Sequence, residues 1–174
     1  MEITAVDFLI VFIVFNLALK IAYPLSGFMH ELGHAIPGLI LTKGSLVKIR
    51  FGQCGSRPVL KLGRFEACVG PTTSFWGSCE FDSQGLSAHR LVAIALGGPV
   101  ISMVLTCLAL WCLFDQTLAA WSRFIAAVFF YANCRIFLVA ALPRRFRPPV
   151  SVDMGGASDG LKILQLLKDG KTKD

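Results

Sequence analysis

The sequence predicts a multi-pass, mainly α-helical membrane protein. It has three transmembrane helices, or four if the first apolar region divides, a small membrane-associated β-meander between the first two, and a short C-terminal helix. Three observations predict this. Of 174 residues, 55% are hydrophobic and only 16% charged, with a mean hydropathy of +0.65, unlike an ordinary soluble domain. Apolar runs at 5–41, 91–114 and 124–142 approach or exceed the ~20 residues that cross a ~30 Å hydrocarbon core. Between the first two runs, residues 44–82 change to short alternating stretches broken by glycine. At this length the chain makes one domain, 1–174.

The first apolar region, 5–41, is interrupted by Asn16, Lys20 and Pro24. As one helix it would be ~55 Å long, so it is either one kinked span or two spans hinged at Tyr23-Pro24. Pro37 removes a backbone donor and frees the Gly33 carbonyl, which predicts a kink or an early helix end just after His34. The segment opens Met1-Glu2-Ile3 without a basic n-region, so it is expected to be retained rather than cleaved as a signal peptide.

In 44–82, Leu46-Val47-Lys48-Ile49-Arg50-Phe51 alternates apolar and basic, and Val59 to Leu62 and Phe65 to Val69 are strand-like. Gly52, Gly55, Gly63, Gly70 and Pro71 punctuate them. A sheet this small has exposed edges and leans on the bilayer or on another strand. Leu91 to Phe114 is almost uncharged and long enough for a tilted span, with Gly97-Gly98-Pro99 in its first half. The span 124–142 contains Asn133 and Arg135; a charge inside a span calls for snorkelling or a partner in the bundle. An arginine- and proline-rich stretch from Pro143 leaves the membrane, and 158–168 forms one short helix opening on Asp159-Gly160.

The net charge of +6 does not indicate nucleic acid, because no basic stripe is interleaved with aromatics. The cations lie in 42–90 and after Pro143, where the positive-inside bias places both segments in the cytoplasm and 115–121 outside. Of six cysteines, Cys107, Cys112 and Cys134 fall in apolar runs and act as small hydrophobes. Cys54, Cys68 and Cys79 lie in the polar connection without a C-x-x-C; a disulfide among them depends on which side that connection faces, and they are expected as reduced thiols.

The chemistry sits at His30-Glu31-Leu32-Gly33-His34. Four residues are ~1.1 turns of helix, so both imidazoles project from one face and can share one Zn²⁺, with Glu31 placed as general base. With three histidines and four glutamates, a shuffled chain would contain this pattern roughly once in a thousand. A catalytic zinc takes three protein ligands. The candidates for the third are Asp159, Asp153, Glu66, Glu80 and His89, with Asp159 favoured by the Asp-Gly and apolar helix that follow it. The bland alternative for Asp159 is an acid at a helix N-terminus.

HELGH in a first span followed by a short β-region resembles the site-2 protease family of intramembrane zinc metalloproteases. The likeness continues at Ala95-Leu96-Gly97-Gly98-Pro99, similar to the family's Gly-Pro motif, and at Leu142-Pro143 with Ser158-Asp159-Gly160-Leu161, similar to its third motif. It covers about residues 20–167, without a PDZ-like domain. The resemblance implies Asp159 as third zinc ligand, with His30 and His34, and Glu31 as the catalytic base. It also implies proteolysis of transmembrane segments of helical membrane proteins, in the cell (inner) membrane. Ser102 stands where the Gly-Pro motif has an asparagine, and Val139-Ala140-Ala141 lacks the asparagine before Leu-Pro. Asn133, a turn or two earlier, is the candidate amide for substrate.

An intramembrane substrate must unwind to expose a carbonyl, and its freed backbone groups then need partners. The expected partner is an edge strand formed by Leu46, Val47, Ile49 and Phe51. The other function class is a weak or inert relative that binds membrane proteins, and Glu31 discriminates the two. A small transporter would show internal repeats, and the sequence has none.

Overall fold

The computed structural model describes residues 4–52, 54, 60–70, 77–145 and 156–171. Three helices in it are long and apolar enough to cross a membrane, accompanied by a small sheet and a short C-terminal helix.

The first helix, α1 (Ala5–Leu41), opens on a capping box: the Thr4 hydroxyl accepts from the Asp7 N–H, and Asp7 accepts from the Thr4 N–H. It then runs for 37 residues without a break, through both Pro24 and Pro37. The first apolar region is therefore one helix, and the early end expected after His34 does not occur. Each proline removes only one ladder hydrogen bond, and the surrounding packing keeps the helix going. At its C-terminal end, Arg64 donates to the Leu39 and Thr42 carbonyls at 2.8 Å each, and the Thr42 hydroxyl donates to the Gly38 carbonyl. Carbonyls left over at the end of α1 thus find partners on the sheet side.

The sheet comprises β1 (Val47–Phe51), β2 (Leu60–Leu62), β3 (Phe65–Val69) and β4 (Gly77–Glu80), in the order β2-β3-β1-β4. It is not the meander expected from sequence. The hairpin β2–β3 is antiparallel, but β3 lies parallel to β1, with Val47 opposite Phe65 and Phe51 opposite Val69. The fourth strand, not foreseen, pairs antiparallel with the other side of β1. β1 is central because its alternate residues supply a buried face: Val47, Ile49 and Phe51 are 0–1% exposed. With Ala35 and Ala67, Val47 and Ile49 form the core that seats the sheet on the last turns of α1.

The remaining helices are α2 (Ala88–Phe114), α3 (Ala120–Ala141) and α4 (Asp159–Lys171). α1 and α3 meet through Leu19, Ala22, Val128 and Ala132, flanked by Phe15, Tyr23 and Phe124. Arg135 is paired there, donating to the Tyr23 hydroxyl at 2.8 Å with its guanidinium 5.3 Å from the ring centre. α1 and α2 cross at glycines: a Cβ on Gly33 would come within 2.9 Å of the Gly98 Cα, and one on Gly97 would strike the Gly33 carbonyl. That carbonyl is the one Pro37 leaves without its helical donor. Gly97-Gly98 is thus a close-packing site.

The cysteines depart from expectation. Cys54 and Cys68 form a disulfide, bringing the segment after β1 against β3, whereas Cys79, Cys107, Cys112 and Cys134 are free. Parallel pairing of β1 and β3 makes this possible by carrying Cys68 alongside Arg50.

Candidate metal centre

The i, i+4 spacing on α1 puts the His30 and His34 rings 4.9 Å apart between centroids. Both are 7% exposed, and each is held from α2 through its Nδ1. His30 Nδ1 lies 2.9 Å from the Ser102 hydroxyl, and His34 Nδ1 lies 2.8 Å from the Ile94 carbonyl. A carbonyl only accepts, so His34 carries a proton on Nδ1; in the neutral ring Nε2 is then the lone pair with which histidine ligates metal, and in the imidazolium it carries a second proton.

The third group comes from the opposite end of the chain. α4 begins at Asp159, and Ser158 just before it ties this corner together. The Ser158 hydroxyl accepts from the Leu161 and Arg144 N–H groups and donates to the Leu142 carbonyl at 2.7 Å. Gly160 follows because there is no room for a side chain: its Cβ would strike the Ala141 carbonyl. The Asp-Gly pair therefore lets the start of α4 approach the end of α3 and aims the carboxylate at α1.

His30 Nε2, His34 Nε2 and Asp159 Oδ2 form a near-equilateral triangle. The two nitrogens are 3.2 Å apart, and the oxygen lies 3.2 Å from the first and 3.3 Å from the second. Metal–ligand bonds of ~2.0–2.1 Å in a tetrahedron give ligand–ligand edges of about 3.3–3.4 Å, so the triangle matches one face of such a site. With protons on both Nδ1 atoms the three corners are all lone-pair donors, an arrangement that is repulsive without a cation among them. A salt-bridge network is the other chemistry open to these atoms, and it requires at least one protonated imidazole. Burial pushes the Asp159 carboxyl up, but hydrogen bonds with His30 and His34 outweigh it and hold the group well below the usual carboxylate range. Its other oxygen lies 3.4 Å from Lys162 Nζ, leaving Oδ2 for the triangle.

Glu31, 8% exposed, sits beside this triangle under the sheet. Strand β4 closes over it: a Cβ on Gly77 would come within 2.7 Å of Glu31 Cγ and Phe51 Cδ2. An isolated glycine in a strand signals such close approach, and Gly77 could have been singled out on that ground. Ser102 carries no such signal, since nothing in its sequence context marks it as a partner of His30. Gly98 completes the wall, for a Cβ there would come within 2.7 Å of His30 Nε2.

The other third-ligand candidates lie elsewhere. Glu66 pairs with Lys48 and Lys61, Glu80 pairs with Arg50, and His89 is exposed at the start of α2. Asp153 lies outside the described residues. Among the described residues, His30, His34 and Asp159 form the one group of three or more such side chains arranged to hold a metal. The substrate edge expected at Leu46, Val47, Ile49 and Phe51 is corrected: β1 has β3 on one side and β4 on the other, so it offers no free edge. Asn133 is buried on α3, its Nδ2 donating to the Phe129 carbonyl at 2.8 Å. No protein-family model, curated protein or solved structure matches this chain.

Proposed function

We propose that this protein is a zinc-dependent intramembrane endopeptidase of the site-2 protease type, cleaving helical membrane-protein substrates within the bilayer. The observation that carries the reading is the triangle of His30 Nε2, His34 Nε2 and Asp159 Oδ2, with both histidines braced through Nδ1 and a buried carboxylate beside it. Zn²⁺ held by those atoms would supply Lewis acidity, making water more acidic and polarising a scissile carbonyl. Glu31 takes the proton of the attacking water and returns it to the leaving amine. Gly77 of β4 lies against Glu31, limiting the access of bulk water to its carboxylate.

With β1 enclosed, the strand suited to receive an unwound substrate is β4, the edge of the sheet that lies over Glu31. The positive-inside bias places the cation-rich connection and the C-terminal segment in the cytoplasm, in the cell (inner) membrane, whereas the Cys54–Cys68 disulfide in that connection is a pairing of oxidising compartments, and reporter fusions on either side of α2 decide between the two. The test is metal analysis of purified wild type and Glu31→Gln, with both assayed on a single-span helical substrate. Wild type should carry one zinc and cleave. Glu31→Gln should carry the same zinc and fail to cleave. Equal cleavage by the two would overturn the mechanism. Zinc without cleavage in wild type would favour a relative that binds membrane proteins without cutting them.

A further inference from the structure

The seam between α1 and α3 carries charge where a membrane helix meets lipid. On α3, Tyr131, Arg135 and Leu138 follow at i, i+4 and i+7, so they form one stripe, and all three are exposed. On α1, Asn16, Lys20 and Tyr23 repeat the same spacing, with Asn16 and Lys20 exposed. Tyr23 joins the two stripes. Its ring centre lies 5.3 Å from the Arg135 guanidinium and 6.4 Å from the ring centre of Tyr131, and its hydroxyl accepts from Arg135 at 2.8 Å. Lys20 stands one turn before Tyr23, ~6 Å away between Cβ atoms. Tyrosine holds the guanidinium in place without opposing its charge. The three long helices contain two carboxylates. Asp7 belongs to the Thr4 capping box, ~20 Å along α1 from Lys20, and Glu31 lies under the sheet.

Depth selects what answers this charge. The Ala141 end of α3 abuts Gly160 beside the metal triangle, and the start of α2 at Ala88 lies ~15 Å beyond Gly98, which walls that triangle. Arg135 lies ~9 Å from Ala141 in the other direction and ~22 Å from Ala120. In a bilayer spanned by these helices it is near the middle, out of reach of lipid phosphates at either surface. A cation at that depth is costly and marks a functional surface. A second copy of the chain has no carboxylate to offer there, because its own two are held at the end of α1 and under the sheet. A membrane helix of another protein can carry one at any depth. We propose that this seam is a docking surface for such a helix, one with Asp or Glu near its midpoint. The carboxylate bridges Arg135 and Lys20, while Tyr131 and Leu138 pack on the apolar face beside it. The helix docks whole, so the inference holds whether or not the chain is a protease.

The test uses full-length Glu31→Gln protein in phosphatidylcholine vesicles, so that the probes stay uncut. The probes are two synthetic single-span Leu/Ala peptides, one with a central Glu and one with a central Gln, each labelled for energy transfer to the protein. The Glu peptide should half-saturate the protein at about tenfold lower mole fraction in the membrane than the Gln peptide. Lys20→Gln, a change at an exposed position, should remove part of that difference. Adding Arg135→Gln should abolish it at unchanged zinc content. The doubly reversed Lys20→Glu, Arg135→Glu protein should instead prefer a peptide with a central Lys. Equal binding of the Glu and Gln peptides before those changes, or a preference that survives the double Gln variant, would overturn the inference. A preference that vanishes when phosphatidylglycerol is added would give the patch to lipid headgroups and overturn it too. Self-association of the protein that depends on Arg135 would give the seam to a second copy, with the same result.

Discussion

Ser102 shows what a single side chain does here that its sequence context hides. It is fully buried, and its hydroxyl sits 2.9 Å from His30 Nδ1, where it holds the ring angle of a candidate ligand. Ser102→Ala should therefore lower zinc affinity by about 10–100-fold, measured by competition with a chromophoric chelator, and Ser102→Thr should restore most of it. Equal affinity for Ala and Ser would show that His30 is held by packing alone. The two candidate histidine ligands were legible, because i, i+4 histidines share a helix face whatever surrounds them. Their braces were not, since Ile94 and Ser102 meet α1 only through tertiary packing. Cys79 makes a second prediction at this scale. Burial first, then the Glu31 and Glu80 carboxylates, push its thiol from near 9 up to about 12. The folded chain thus keeps this proton to higher pH than the unfolded chain does. Stability present below pH 9 should fall as pH rises from 9 toward about 12, and Cys79→Ser should flatten that fall in thermal scans across the range. An unchanged slope would refute the assignment to Cys79.

At the scale of elements, the helices were readable and the sheet order was not. A long run of lipid-compatible residues with few charges specifies a helix by composition, and capping by Thr4 and Asp7 fixes where α1 starts. Expected ends at 91, 124 and 158 fall within four residues of the observed starts of α2, α3 and α4. Strand order depends on which strand can be buried on both sides, and the alternation in Val47–Phe51 reveals a buried face without revealing its neighbours. Pro37 misled because a missing donor suggests a helix end in isolation, whereas the close approach of Gly97 at the freed Gly33 carbonyl keeps α1 packed there. The tight corner between α3 and α4 yields the prediction for this scale. Gly160→Ala would drive a methyl into the Ala141 carbonyl, so α4 must shift to accommodate it. The expected cost is about 1–3 kcal/mol by thermal unfolding, the range for overpacking a tight contact. Weaker zinc retention should accompany it, because Asp159 moves with the helix. A variant with native stability and native zinc affinity would show that the corner is loose.

Across the whole molecule, the two ends of the motif-bearing chain are joined at one point. His30 and His34 belong to the first helix and Asp159 to the last, and α2 stands between them as the common wall, bracing both histidines and packing against α4. α4 itself is short, with Leu164 and Leu167 exposed, and it packs chiefly on α2. A metal at the triangle would therefore act as a cross-link that closes the fold as well as a reaction centre. Ligands that bind only the folded state stabilise it by mass action, by roughly 4 kcal/mol when free zinc exceeds the dissociation constant a thousandfold. Chelating wild type should then lower its melting temperature and expose the amides of α4 to hydrogen exchange first, while α1–α3 contacts around Leu19 and Val128 stay protected. Asp159→Ala should melt at one temperature with or without zinc, because two histidines on one helix can hold a metal without tying α4 to it. If chelation leaves α4 protected in wild type, the three side chains are a salt-bridge network that stands without a metal, and the cross-link does not exist.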